Sequence, residues 1–396
     1  MALTEEQNRR LTQVGPGTPG GNLLRRYWMP LCPASEITPE QPLRQIRILG
    51  EDLVVYRDGS GRYGLVPEQC PHRGASLAYG FIEEDGIRCP YHGWKFDTSG
   101  ACVEQPFEPH PEKLMKLACR PPYAVQALAG LLWGYMGPLP APLLPRWEML
   151  VSDQGTRSIV VLPLHECNWL QAQENSVDPV HTYYLHAQTL LRQPEEVRSE
   201  NAGAIAYFAR PITEYDFELE HHPAWTGIRK VRHYGGDNPQ IEHGHPAVFP
   251  NILVAPQSGA MVMHFRVPVD DTHTRIFWVE FTASKNDESV VQPDDQIPVT
   301  YEAHPRRPDG RYTLRTFISQ DLMAWETQGK VYNRSSELLG ASDRGVTMLR
   351  KLLREQIDLV EAGGEPVGII RDPALNEIVT FGTLDDPSRQ RNPVSA

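Results

Sequence analysis

The sequence predicts an α+β protein with an N-terminal all-β domain and a larger C-terminal domain built on an antiparallel sheet. Short β-rich runs bounded by Gly or Asp occur between residues 46 and 66, at the spacing of about 8–12 residues that is typical of a small all-β domain. A segment with four prolines, residues 137–145, has the composition of a linker. Longer alternating runs between about 204 and 283 then indicate a sheet with one buried face.

With 396 residues the chain is long enough for two or three domains. We expect an N-terminal arm (residues 1–26), a first domain (residues 27–140) and a second domain (residues 141–396). The helices predicted from caps and periodicity are Leu23–Trp28, a stretch near 166–174, a stretch near 317–329, and Arg344–Glu361 with Asp343 as its cap.

Composition excludes some classes of function. The formal net charge of -12 argues against nucleic acid as a general partner, because phosphate binding needs a basic surface. No apolar run approaches the ~20 residues of a membrane-spanning helix. The N-terminal residues are charged where a signal peptide would be apolar, so we expect a cytoplasmic protein in which the six cysteines are free or bind metal.

Two short segments each combine one cysteine with one histidine. They read Cys70-x-His72 and Cys89-x-x-His92, with sixteen residues between them. A Rieske [2Fe–2S] centre requires this ligand set, because two cysteines bind one iron and two histidines bind the other. A structural Cys2His2 zinc site is the alternative, but zinc fingers usually pair cysteine with cysteine and place a helix beside them.

The residues around these ligands carry a family resemblance. Cys70-Pro71-His72-Arg73-Gly74 and Cys89-Pro90-Tyr91-His92-Gly93-Trp94 resemble the Rieske domain of ring-hydroxylating oxygenases. The resemblance implies that Cys70, His72, Cys89 and His92 hold the cluster. Pro and Gly at fixed positions are then the turn residues of two loops.

A second candidate metal site lies about a hundred residues further on, in the run Asn175 to His186. Two imidazoles and one carboxylate on one side of Fe(II) form the ligand set of non-haem oxygenases. His181 and His186 are five residues apart, about 140° around a regular α-helix, so both can point inward only at a π-bulge or a helix end. Asp178-Pro179 fits the start of a helix just before His181.

The run Asn175-x-x-Asp178-x-x-His181-x-x-x-x-His186 is similar to the iron motif of the same family. The resemblance implies that Asp321 is the third ligand and that Asp178 hydrogen-bonds a ligand histidine. It also implies that Asn175 lies near the iron. By residue type alone Glu326 and Asp343 are rivals of Asp321; the structural alternatives are a solvated helix face for Glu326 and a helix N-cap for Asp343.

The resemblance spans nearly the whole chain, and its ends are similar to the phthalate-oxygenase branch of aromatic-acid dioxygenases and aryl O-demethylases. It implies a Rieske β-domain, a helix-grip catalytic domain, and a homotrimer or stacked trimers. The electron donor would be a flavin or iron–sulfur NAD(P)H-dependent reductase, acting directly or through a ferredoxin. The substrates would be O2 and an aromatic, carboxylated compound that is hydroxylated or O-demethylated. A Rieske electron carrier without oxygenase chemistry is the alternative, but a carrier does not need the 250 residues that follow the linker.

Substrate recognition is the least determined feature. Arg229 lies roughly where relatives carry a carboxylate-binding arginine, and in a strand it would point opposite to Arg232. An arginine on the surface of a strand is the alternative. The polar segment His233–Pro246 departs from simple members of the branch.

Overall fold

The computed structural model describes residues 2–236, 239–257, 259–285 and 288–380. The α-helices in these ranges are α1 (Glu5–Thr12), α2 (Pro19–Leu24), α3 (Pro111–Ala118), α4 (Glu148–Val151), α5 (Trp169–Asn175), α6 (Thr189–Leu191), α7 (Glu195–Glu200), α8 (Ala202–Phe208), α9 (Phe317–Glu326) and α10 (Arg344–Glu361). The strands are β1 (Met29–Pro33), β2 (Leu43–Ile48), β3 (Glu51–Arg57), β4 (Tyr63–Pro67), β5 (Phe81–Glu83), β6 (Gly86–Arg88), β7 (Lys95–Phe96), β8 (Cys102–Glu104), β9 (Ala124–Leu128), β10 (Leu131–Tyr135), β11 (Gly155–Val161), β12 (Ile212–His222), β13 (Trp225–Tyr234), β14 (Gln240–Val248), β15 (Ile252–Gln257), β16 (Ala260–Asp270), β17 (His273–Ala283) and β18 (Val299–Tyr301).

The predicted helix Leu23–Trp28 is wrong in its position, because the helix starts earlier. Within the glycine- and proline-rich residues 15–21, the side chain of Thr18 accepts a hydrogen bond from the backbone N–H of Gly21 and so starts the helix. Pro19 occupies the first helical position, where its missing N–H costs nothing. The helix therefore ends at Leu24, and β1 begins at Met29.

The first domain divides into a base and a smaller lobe. Strands β1, β10 and β9 form the base, and one of its residues, Trp133, packs edge-on against Phe265 of the second domain with ring centroids 4.9 Å apart. Strands β5 to β8 form the lobe, and its residues Phe96 and Trp94 share a separate small core with Val54 of β3, which belongs to a third sheet in the order β2-β3-β4. The base thus shares a hydrophobic core with the second domain, whereas the lobe is packed separately.

Within the described residues the second domain is organised around an eight-stranded sheet in the order β12-β13-β14-β15-β16-β17-β11-β18. Neighbouring strands are antiparallel except β11 and β18. The predicted antiparallel sheet is confirmed, although residues 202–208 form α8 rather than a first strand. The register of the pairing between β13 and β14 changes between Arg229 and Val231, because β14 carries one extra residue there.

Helices α5 and α10 pack against this sheet, and α9 packs against α5. Two of the predicted site residues lie on these helices, Asn175 at the end of α5 and Asp321 on α9. The side chain of Asn168 caps α5 by accepting a hydrogen bond from the N–H of Leu170. Glu174, on α5, accepts hydrogen bonds from the buried Arg334 at 2.8 Å and from Arg350 of α10 at 2.6 Å. A buried carboxylate is stable when it is paired on both sides in this way, and the pairs fix α5 against α10.

The proline-rich segment is anchored at several points. The indole N–H of Trp28 donates to the Pro142 carbonyl at 2.9 Å, and the Leu143 N–H donates to the Ile370 carbonyl at 2.8 Å. In the described part of the chain, no helix has both the length and the apolar character needed to cross a bilayer.

Candidate metal centres and the adjoining cavity

The four upstream candidate ligands lie on two loops with matching backbone geometry. In the first, the N–H of Gly74 donates to the Cys70 carbonyl at 2.9 Å; in the second, the N–H of Gly93 donates to the Cys89 carbonyl at 3.0 Å. Both glycines have positive φ, +75° and +76°, a conformation that strains residues with a Cβ. Each loop therefore turns back sharply after presenting one thiol and one imidazole.

The side chains of these loops fit a cluster ligand set. The thiols of Cys70 and Cys89 are buried and adjacent, and burial raises the pKa of Cys70 to about 11, so its thiolate needs a metal or another positive charge. The rings of His72 and His92 have centroids 4.4 Å apart, and Trp94 stacks on His72. Nδ1 of His72 is buried, and no group of the described residues hydrogen-bonds it, as expected of an atom reserved for a metal.

A π-helix, Thr182–Gln188, follows directly after His181. Its wider turn aligns residues five apart, whereas an α-helix would separate them by about 140°. The rings of His181 and His186 consequently lie on the same side, edge to face, with centroids 5.2 Å apart. The predicted departure from α-helical geometry is confirmed, and Asp178 starts the segment by accepting from the N–H of Val180 at 2.8 Å.

Asp321, on α9, meets this histidine pair although it is far away in sequence. Ligand atoms of His181, His186 and Asp321 all lie within 4.8 Å of one another, and Nε2 of His186 is 3.6 Å from Oδ1 of Asp321. Burial lowers the pKa of His186, so the ring is neutral, the form in which imidazole binds a metal. These donors fit one divalent ion, since two imidazoles and a carboxylate converge within reach of a single metal.

Gln320 fixes the tautomer of His186. Its amide nitrogen donates to the Leu314 carbonyl at 3.0 Å, which leaves its oxygen to accept from Nδ1 of His186 at 2.9 Å. Nε2 of His186 then carries the lone pair and points toward Asp321. The amide of Asn175 lies 3.4 Å from Oδ1 of Asp321.

Asp178 approaches the other histidine less closely. Oδ2 of Asp178 lies 3.5 Å from Nδ1 of His181, longer than a normal hydrogen bond. Burial raises the pKa of Asp178, but the interaction with His181 and two backbone N–H groups outweighs burial and lowers that pKa to about 2. Its side chain remains 27% exposed, so a second donor can reach it.

The two rival carboxylates lie elsewhere. Glu326 accepts hydrogen bonds from Tyr312 and from Arg306, the latter at 2.8 Å, and lies 3.2 Å from Nε2 of His304. Asp343 accepts from the N–H of Gly340 at 2.7 Å at the turn before α10. Both carboxylates are engaged in structural contacts and neither joins the histidine pair.

A cavity of about 180 Å³ opens beside His181, His186 and Asp321. Part of its wall is aromatic: Phe208 and Phe317 pack against the His186 ring with centroids 5.2 and 5.7 Å away. Other lining residues are charged, and these are Lys230, Arg232, Glu242 and Arg266. The cavity can therefore hold a flat apolar ring next to the metal-ligand cluster.

Arg229 does not face this cavity, which contradicts the expected role in binding a substrate carboxylate. Its guanidinium donates to Glu220 at 2.5 Å and to the Gly244 carbonyl at 2.6 Å, and it is not among the described residues that line the cavity. Strand alternation points Arg229 away from Lys230 and Arg232, which do line it. The polar segment His233–Pro246 forms much of β14 and supplies Glu242 and His245 to the wall, while Asp237 and Asn238 lie outside the described residues.

Sequence reasoning missed Gln320, Lys230 and Glu242. Gln320 could have been suspected as the neighbour of Asp321 in the motif. Lys230 could have been suspected because it shares the strand face of Arg232. Glu242 had no local signal, since its role depends on the pairing of β13 with β14.

The fold and the two ligand clusters define a two-domain metalloprotein of the oxygenase class, and comparison with known proteins agrees. Residues 27–121 match the Rieske [2Fe–2S] domain, and residues 306–385 match the family described as LigXa C-terminal domain like. The chain is 40% identical to the 5,5'-dehydrodivanillate O-demethylase oxygenase subunit of Sphingobium sp. over 96% of this chain and 87% of the relative. It is 30% identical to the phthalate 4,5-dioxygenase oxygenase subunit of Pseudomonas putida, over 96% of this chain and 92% of the relative.

Solved structures show the same fold. Pseudomonas putida CBB5 NdmA with caffeine superposes with a TM-score of 0.60 at 21% identity, over 87% of this chain and 93% of that one. The oxygenase in the oxygenase and ferredoxin complex of carbazole 1,9a-dioxygenase superposes with a TM-score of 0.60 at 18% identity, over 89% of this chain and 94% of that one.

This chain belongs to the Rieske non-haem iron oxygenases, in the phthalate-oxygenase-like branch. It is the terminal oxygenase component of such a system rather than an electron carrier, and its cofactors are a Rieske [2Fe–2S] cluster and a mononuclear iron.

Proposed function

We propose that the chain uses O2 and electrons from an NAD(P)H-dependent reductase to hydroxylate or O-demethylate an aromatic compound. Cys70, His72, Cys89 and His92 would hold the cluster. His181, His186 and Asp321 would hold Fe(II). When bound, the cluster supplies single electrons and the iron activates dioxygen. The observation that carries the proposal is the convergence of His181, His186 and Asp321 in the lining of a cavity with an aromatic wall.

The residues around the iron site have separate tasks in this proposal. Gln320 holds the lone pair of His186 on the metal side, and Asn175 orients the Asp321 carboxylate. Phe208 and Phe317 exclude water from one side of the site and offer a surface for an arene. Chemistry at a methoxy carbon would release formaldehyde, whereas chemistry at the ring would give a diol.

The partners in this proposal are a flavin or iron–sulfur reductase, acting directly or through a ferredoxin, and further copies of the chain. A ferredoxin is part of the carbazole 1,9a-dioxygenase complex named above. The histidine side of the cluster is only half-buried and the neighbouring Tyr91 is 56% exposed, so that side is accessible to a protein surface. We place the protein in the cytoplasm, where thiols stay reduced.

We further propose a homotrimer, or stacked trimers, in which the cluster of one subunit serves the iron of the next. Asp178 would accept hydrogen bonds from its own His181 and from His92 of the neighbouring chain. A head-to-tail interface that closes as a ring provides this contact three times. Support comes from Oδ2 of Asp178, which lies 3.5 Å from Nδ1 of His181. Both Asp178 and His92 are also partly exposed.

One experiment tests the reaction. The holoenzyme is supplied with a surrogate reductase, NADH and a panel of methoxylated and carboxylated arenes, and O2 uptake, formaldehyde and diol are measured separately. Substrate-dependent O2 uptake with either product supports the proposal. Reduction and reoxidation of the cluster without an organic product would contradict it.

A second experiment tests the arrangement of subunits. Cys70→Ser and His181→Ala chains, each inactive alone, are co-expressed with different affinity tags, and mixed oligomers are purified through both. Electron transfer between subunits predicts partial recovery of activity, because some intact clusters then face intact irons. Mixed oligomers that form and stay inactive would exclude the bridge, and Asp178→Asn should cut turnover while both metal sites remain occupied.

A further inference from the structure

Lys230 is a buried cation that faces the cavity beside the proposed iron site. It is 8% exposed, and it lies on β13 two residues before Arg232, so both side chains point to the same face of the sheet. Both line the cavity together with His181, His186 and Asp321. Arg229 lies on the opposite face and is paired with Glu220.

The other cations of the cavity wall already have partners. Arg232 donates to Glu242 at 2.9 Å and to the Pro179 carbonyl at 3.0 Å. Arg266 donates to Gln173 at 3.0 Å and to the hydroxyl of Ser176. Lys230 Nζ has no hydrogen-bond or ion-pair partner among residues 2–236, 239–257, 259–285 and 288–380.

An unpaired ammonium group in such a place is costly, because burial removes its hydration without replacing it. Burial, reinforced by Arg232, lowers the pKa of Lys230 to about 7, although the charges of Asp178 and Glu242 oppose that change. A negatively charged ligand would supply the missing partner. The aromatic wall of Phe208 and Phe317 indicates that this charge is carried by an arene.

We propose that Lys230 is a specificity-determining residue whose ammonium group binds an oxyanion on the aromatic substrate. The oxyanion is a carboxylate or an acidic phenolate, and its position on the ring determines which ring edge or substituent faces the iron. This inference rests on the proposed oxygenase function, since it assigns a substrate class to that same cavity. It replaces Arg229, whose guanidinium is occupied by Glu220, as the candidate anion-binding residue.

Binding to the holoenzyme in the absence of reductase tests the proposal separately from catalysis. Two matched pairs of probes are titrated by calorimetry: 3-methoxybenzoate against 3-methoxybenzamide, and vanillin against 3,4-dimethoxybenzaldehyde. The first pair tests a carboxylate and the second an acidic phenol. A charge-assisted contact predicts that the wild type prefers the anionic member of at least one pair by about 10- to 100-fold.

Substitutions then assign that preference to one residue. Lys230→Met removes the ammonium group but keeps an unbranched apolar side chain of nearly the same length, and it should abolish the preference, whereas Lys230→Arg should keep part of it. Lys351→Met, which removes an exposed lysine of α10, is the matched control and should leave the preference intact. Iron content and thermal unfolding show that each variant is folded and loaded.

Three outcomes would overturn the proposal: no wild-type binding of any of the four probes, equal binding within both pairs, or loss of the preference in Arg229→Met but not in Lys230→Met. The proposed function fails independently, if the probes bind with the expected preference and no arene is oxidised when reductase is added.

Discussion

The two candidate metal centres are built in opposite ways. The four upstream ligands lie within 23 positions, Cys70 to His92, on two loops whose hydrogen bonds and glycine conformations repeat. The downstream centre joins a π-helix to Asp321 of α9, which lies 135 positions beyond His186, and opens into a charged cavity. The first is determined by local sequence, whereas the second depends on how helices and sheet pack. Substitutions at the two centres should therefore have separable consequences.

The largest effect is expected at the upstream centre. Cys70→Ser removes a thiolate that cannot be replaced by its partner loop, so the visible and electron paramagnetic resonance spectra of the cluster should disappear and turnover should be abolished. Because the lobe has its own core, mononuclear iron binding should persist. Iron and sulfide analysis with the spectra measures both. Loss of both metals together would mean that the two centres fold as one unit.

The corresponding substitution at the downstream centre is Asp321→Ala, which removes the carboxylate ligand. A pair of histidines holds Fe(II) poorly, so oxygenation should fall by at least about 100-fold while the cluster spectrum is unchanged. Product formation and iron content give the answer. Glu326→Gln is the comparison, because Glu326 lies in a separate network with Arg306 and Tyr312. If Glu326→Gln lost the iron and Asp321→Ala kept it, the ligand assignment would be wrong.

A smaller effect is expected from Gln320, which orients a ligand histidine of the downstream centre. Gln320→Leu removes the acceptor of the His186 Nδ1–H, so Fe(II) affinity should fall by about 10- to 100-fold. Gln320→Glu keeps an acceptor and should retain most of the affinity. Competition with a chelator measures both variants. Equal affinity in Gln320→Leu and the wild type would show that packing alone orients the ring.

The last prediction concerns the stability of the fold rather than turnover or metal binding. The folded-state pKa of Lys230, about 7, lies below its ordinary value of 10.5, so between these pH values the unfolded chain holds a proton that the folded chain has released. Stability therefore rises with pH across this window. Below it Lys230 is charged in both states, so the full cost of burying the ammonium group destabilises the folded chain. Two neighbouring carboxylates, Asp178 and Glu242, raise the pKa of Lys230, and two neighbouring guanidinium groups, Arg232 and Arg266, lower it. The effect of burial is larger than any of these and lowers the pKa.

Lys230→Met should accordingly stabilise the protein by roughly 1–4 kcal/mol at pH 7 and by less at pH 10. Chemical denaturation at the two pH values measures this, with Lys351→Met as the control. A destabilised Lys230→Met protein would mean that the ammonium group has a partner within the fold.

The contrast between the centres also explains what could be predicted from sequence. Spacing alone suggested the cluster ligands. The five-residue interval of His181 and His186 indicated a π-bulge or a helix end, and the structure contains a π-helix. Asp321 was found only through family resemblance, because no local pattern links it to the histidines. Arg229 was singled out only from its rough position in relatives, and Lys230 was missed because sequence does not show which face of β13 meets the cavity. That depends on the extra residue in β14 and on pairing across the sheet.

The adjacency of Gln320 and Asp321 on α9 has a consequence for engineering. One residue orients His186 and the next offers a carboxylate to the same site, so rotation of α9 moves both groups together. The proposed iron site thus behaves as two rigid pieces, the segment around His181–His186 and helix α9, rather than as independent ligands. Transplanting it into another scaffold would require only the six rigid-body parameters that relate these two pieces, and grafting Asp321 without Gln320 would leave one imidazole free to turn.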